Sequence, residues 1–232
     1  MNGQPVLHSG DDAATAQAKI DASNGGPIRV SGHLTGINST LRVPQGQMLT
    51  GWGTIGSNLN IVSGSVIEGS ADPLVDLGKS SEIFGVSVKN NLDGGTKVLQ
   101  REHTRISHAD IYSKFVGIDT EAEELYSAEP TVEYTHVVSD AGAADSVGVQ
   151  NENDIIDGEY NFNIIHGFET GLIATAVNCQ ISLVHMYPSP SPVSSFDRGF
   201  TVDRQGRVIN TVADNVGEYG GYVQPDTNGY DV

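Results

Sequence analysis

The chain is poor in cysteine, in cations and in long apolar runs. Of its 232 residues only Cys179 is a cysteine, so no internal disulfide framework holds it together. Cys179 falls in the strand-like run 177–184 and is expected as a small buried residue. Lysine occurs only at positions 19, 79, 89, 97 and 114, and 12 Lys+Arg stand against 29 Asp+Glu, a formal net charge of −17. No basic stripe exists to neutralise phosphates, which argues against a nucleic-acid partner. No apolar run approaches the roughly 18 residues that cross a bilayer, so no membrane insertion is expected. The opening 1–12 has neither the basic nor the apolar region of a secretory signal. A phosphate-cradling glycine loop, a nucleophile elbow, HExxH and CxxC are all missing, which removes support for NTPase, serine-hydrolase and zinc-enzyme readings. Nothing in the sequence calls for a cofactor or a bound metal.

What is present is glycine, 28 of them, and short strand-forming segments set between polar loops. Segments led by Gly117, Gly148, Gly171, Gly199 and Gly221 recur at spacings of 31, 23, 28 and 22 residues. A period of roughly 20–50 residues marks a stacked solenoid, and strand-only units argue for a β-helix. The reading is therefore all-β, a single-stranded right-handed parallel β-helix over 11–232, preceded by an arm at 1–10. One helix is expected from Asp11, capped by Asp11 or Asp12, with Ala16 and Ile20 on one face and a stop at 24–27. It would cover the open end of the solenoid, which otherwise exposes core and unpaired edges. Strands are expected at 28–30, 41–43, 48–52, 59–62, 65–69, 73–77 and 83–90.

Three elements of this opening carry a family resemblance: Gln17-Ala18-Lys19-Ile20-Asp21, Val43-Pro44-Gln45-Gly46 and Gly51-Trp52-Gly53. The order resembles the start of the pectate-lyase-like right-handed β-helix superfamily, and within it is most similar to phage tailspike and related virion proteins. The resemblance covers about the first quarter of the chain. It implies a virion surface protein (a tail spike, fibre or capsid decoration) contacting host glycan or glycoprotein and other virion proteins, typically as a homotrimer. It implies a location on the virion surface or outside the cell, reached without a signal peptide. The acidity is similar to that of proteins from extreme halophiles, since at molar salt a screening length near 3 Å removes the self-repulsion of such a surface.

Four histidines, His108, His136, His166 and His185, occupy what the sequence presents as matched places in successive coils, which predicts a ladder along one face. The residues two before each (Ile106, Tyr134, Ile164, Leu183) are apolar and point to an inward face. Carboxylates that would serve a polysaccharide hydrolase, the alternative function, are Asp119 near Glu121, Asp154 with Asp157, and Asp203 with Asp214. Their number on so acidic a chain favours plain surface acids. For binding, the protruding Pro-rich loop at 188–198 draws attention to Tyr187, Phe196, Asp197, Arg198 and Tyr219. Aromatic rings such as Trp52, Phe162 and Tyr187 are more often stacked on neighbouring coils than free for sugars.

Overall fold

A computed structural model describes residues 4–55, 61–121, 127–139, 143–151, 155–175, 178–187, 196–202, 206–214 and 216–223. The described residues wind into eight coils, each contributing one strand to each of three parallel sheets. The first sheet runs through Ile28–Ser31, Met48–Thr50, Glu82–Phe84, Arg105–Ser107, Thr131–Glu133, Glu159–Asn161, Gln180–Ser182 and Arg207–Ile209. The second begins at His33–Ile37 and ends at Val212–Ala213; the third begins at Leu41–Val43 and ends at Val216–Val223. This is the parallel β-helix expected. Val6–His8, inside the supposed irregular arm, adds a ninth strand to the first sheet by pairing with Ile28–Ser31, and Leu7 is buried there.

The core consists of columns. In the first sheet the central residues Ile28, Leu49, Ile83, Ile106, Val132, Tyr160 and Ile181 lie in register and are fully buried. The second sheet sends in Leu34, Ile67, Val88, Ile111, Val137, Ile165 and Met186 in the same way. A strand three residues long buries only one or two side chains, so each coil adds few apolar groups and needs its neighbours to complete the core. The helix Ala13–Asp21 closes the first end: Asp12 Oδ1 accepts from the Thr15 amide at 2.8 Å, and Ala13, Ala16 and Ile20 face the core. Asp11 does not cap; it accepts from the His8 amide and pairs with Lys19 at 2.7 Å.

The recurring glycine has a physical cause. Gly117, Gly148, Gly171 and Gly199 stack in the third sheet, where a Cβ on each would stand 2.4–2.6 Å from the carbonyl oxygen of the next glycine in the stack. The column continues through Gly220, because Phe200 pairs with Gly221; the glycine expected in the fifth segment is thus one residue out.

Between the first and second sheets the chain turns sharply, and the turning residue has positive φ in each of the last six coils: Gly85, His108, Tyr134, Phe162, Leu183 and Asn210. Five residues before most of these sits another such residue, at Ser80, His103, Glu129, Asp157 and Asn178. The first-sheet strands of the third to seventh coils are therefore each bracketed by two left-handed corners. The corner amides keep the ladder going; Tyr134 N donates to Asn161 O at 3.1 Å and Phe162 N to Ser182 O at 3.0 Å. This is why 83–90, expected as one strand, is two: Gly85 breaks it, at a place where a Cβ would lie 2.1 Å from Gly51 O. The strand expected at 59–62 belongs to an antiparallel hairpin, Gly53–Ile55 with Ile61–Gly64, inserted at the corner of the second coil.

Candidate functional site

The corner between the first and second sheets gathers the exposed apolar surface. Among the described residues the exposed large apolar side chains are Trp52, Tyr134, Phe162, Ile164, Leu183, Ile209 and Val212 on this corner, and Val208 in the last described coil. The rings form a column: Trp52 to Phe84 at 6.4 Å, Phe84 to His108 at 5.1 Å, His108 to Tyr134 at 5.1 Å and Tyr134 to Phe162 at 4.8 Å. Tyr134 and Phe162 lie within 4° of parallel, so the stacked rings offer their edges to solvent. Trp52 meets Phe84 edge-on at 83° and is 82% exposed, so its face remains available. Holding His108, Tyr134, Phe162 and Leu183 in the left-handed region costs on the order of 1–2 kcal/mol each. The coil-to-coil ladder and the ring contacts hold them there. An exposed apolar row of this kind marks a candidate interaction surface.

Beside the column lies the outer face of the first sheet, a polar row at the same period. Arg105 donates from Nε to Glu133 Oε1 at 2.9 Å and stands 4.0 Å from Glu82. Burial raises the pKa of Glu82, and the charge of Glu133 adds to this against the opposing effect of Arg105. Asn161 accepts from Ser182 in the next coil. On the far side of the sheet the second line of corners forms an open cleft of about 350 Å³ lined by His103, Arg105, Glu129, Asp157 and Glu159. It runs on past Asn178 and Gln180 to Arg207. A flank about 30 Å long thus carries apolar contacts along one margin and hydrogen-bonding groups across its width.

No family model, curated protein or solved structure matches this chain. Its chemistry is therefore read from its own residues.

The four histidines do not share one column. His108 is the corner residue of the aromatic column, whereas His136 and His185 open second-sheet strands and His166 closes one. A second column does exist: His136 to His166 at 4.9 Å, His166 to Tyr187 at 4.8 Å and Tyr187 to His185 at 5.0 Å. It faces outward. Of the residues two before each histidine, only Ile106 is buried; Tyr134, Ile164 and Leu183 are exposed, because a left-handed residue between the strands resets the facing of the second-sheet strand. Asp110 lies 3.7 Å from His136 Nδ1, and His185 Nε2 is 2.9 Å from Asp214. Burial, and then the neighbouring His136, lower the His166 pKa to about 4. No group of three or more metal-ligating side chains occurs among the described residues.

Of the carboxylates singled out, Asp157 lines the cleft, Asp119 sits half-buried on the outer face of the third sheet, and Asp214 is held by His185. Glu121 stands 3.6 Å from Arg101. Asp154 and Asp203 lie outside the described residues, so two of the three expected pairs have one visible member. Tyr187 is half-buried in the imidazole column, and burial raises its pKa. Arg198 is exposed and pairs in register with Tyr219 in the third sheet, facing a different side from the aromatic corner. Of Phe196, Asp197 and Tyr219 only the backbone is described. The sequence reading missed the column through Phe84 and Tyr134. Its signal was the residue between two strand triplets, recurring at positions 85, 108, 134, 162, 183 and 210.

Proposed function

We propose that this β-helix is a virion surface protein that holds host glycan along the flank formed by its aromatic corner and first sheet. The virion assignment and the tailspike-like superfamily rest on the resemblance of the first quarter of the chain. The glycan assignment rests on one observation: an exposed apolar stripe beside a polar row of the same period. Pyranose rings present apolar C–H faces and hydroxyl edges at once, and a linear chain repeats them at a spacing close to the rise per coil. The stripe is about two side chains wide, well short of the roughly 800 Å² per partner that a stable protein interface buries. That favours a polymer strand over a second protein.

The test is binding of host envelope glycan by the purified chain, compared with a Trp52→Ala/Phe162→Ser variant. The variant should bind about tenfold more weakly, with unchanged circular dichroism and unchanged molar mass by light scattering. A variant that binds equally well, or one that instead loses an oligomer, overturns this assignment of the stripe. Homotrimer formation, which the resemblance implies, is measured in the same experiment.

Hydrolysis of the same glycan is a second reading, favoured by Glu82. A carboxyl with its pKa raised by burial, on the same face as Glu133, matches the division between acid and ionised partner in glycosidases. Release of reducing ends that disappears in Glu82→Gln would establish it; no release leaves attachment alone.

A further inference from the structure

The charges on the binding flank select the class of glycan. From the third coil to the seventh, the first sheet's outer face and the corner preceding it carry Glu82, Glu129, Glu133, Asp157 and Glu159. Against these five carboxyls stands one guanidinium, Arg105, which is already held by Glu133 and lies near Glu82. His103 is 3.6 Å from Glu129, and Lys79, at the margin, is 3.7 Å from Glu102. On the other margin His136 faces Asp110 and His185 faces Asp214. Each described lysine and arginine of this central stretch is thus within reach of a carboxylate of the chain itself. A uronate, sulfate or sialate entering this central stretch meets a row of like charge and finds no lysine or arginine there that is not already paired; Arg207, at the far end of the cleft, lies one coil beyond it. Carboxylates and amides, by contrast, are strong acceptors for hydroxyl and amine donors.

Resting on the glycan-binding reading, we infer that the ligand is a donor-rich glycan chain without acidic groups. The exclusion has two parts with different ranges. Long-range repulsion by a surface of net charge −17 fades as the screening length falls from roughly 10 Å at 0.1 M salt to 3 Å at 1 M. The lack of a contact partner for an acidic group is a short-range property, and it persists at any salt concentration.

The experiment presents the full chain with immobilised neutral polymers (β-glucan, mannan, chitin oligomers), an aminated one (chitosan) and acidic ones (polygalacturonate, heparin), at about 0.1 M and about 1 M salt. Retention is expected on at least one neutral or aminated polymer and on neither acidic polymer at either salt. A neutral ligand would keep its affinity within about twofold across that range, whereas chitosan would lose most of its affinity. A second arm uses Glu129→Lys/Asp157→Lys, changes on the exposed cleft. This variant should gain about tenfold in retention on polygalacturonate. Binding confined to acidic polymers, or a charge-reversed variant that gains nothing, overturns the inference while leaving glycan binding intact. Retention on no polymer and on no host envelope glycan overturns the glycan reading itself, and this inference with it.

Discussion

Gly148 shows how closely one residue is tied to its neighbours in this solenoid. A Cβ there would stand 2.3 Å from Ile165 Cγ2 and 2.6 Å from Gly171 O, and neither the ladder backbone nor a core isoleucine can retreat cheaply. Gly148→Ala is expected to lower unfolding stability by about 2 kcal/mol in denaturant titration. Gly94→Ala, where nothing lies within 4 Å, should change it by less than about 0.5 kcal/mol. His166 makes a different kind of prediction. Its folded pKa, about 4, lies below the ordinary 6.5, so the fold favours the neutral ring. The stability linked to that ring is fully present above pH 6.5 and is lost as pH falls from there toward 4. The group is only partly buried, so solvent screening reduces the effect to about 1 kcal/mol. His166→Phe keeps the stack on Tyr187 and removes the proton. Its melting temperature should fall less than the parent's between pH 6.5 and 4, and parallel curves would refute the assignment.

At the level of the element, the unit is a three-residue strand bracketed by two left-handed corners. The corners are occupied by Asn at 178 and 210, which tolerates this backbone, and by Tyr, Phe and Leu at 134, 162 and 183, which do not. Tyr134 and Phe162 recover part of the cost through ring stacking. Leu183 is 45% exposed and, being aliphatic, has no ring to stack, so its strain is offset least. Leu183→Asn is expected to raise stability by about 0.5–1 kcal/mol, read as a shift of the denaturation midpoint at constant slope. A fall would mean that apolar contact of Leu183 along the corner outweighs its backbone strain.

For the whole molecule the governing quantity is charge. A rod with formal net charge −17 repels itself, and its surface holds too few cations to compensate. The melting temperature is expected to climb steadily as salt rises from about 0.1 M to 1 M, as the screening length shrinks. A flat or falling profile would show that ion pairs such as Arg105 with Glu133 and Lys89 with Glu68 outweigh the net repulsion, since salt weakens those as well. The same charge defines the proposed ligand, so stability and recognition should respond to salt separately: stability strongly, and neutral-glycan affinity hardly at all.

The solenoid was legible in the residue string because its causes are local or strictly periodic. Short apolar triplets between turn residues, a cap and stop around one helix, and a glycine wherever stacked carbonyls leave no room for a Cβ all leave marks that need no coordinates. The exposed apolar flank was not legible, because it depends on which way each side chain faces. Strand residues alternate between core and solvent, and a single left-handed residue resets that alternation. In this chain the resetting residue is more often His, Tyr, Phe or Leu than Gly or Asn, so local propensity does not announce it. That is why four histidines in similar local strings fall into two columns, and why residues that looked inward-facing stand on the surface. Composition and period were enough to specify a stack of coils; only the closed ladder of hydrogen bonds, by forcing bulky residues into the corners, decided where the exposed stripe would run.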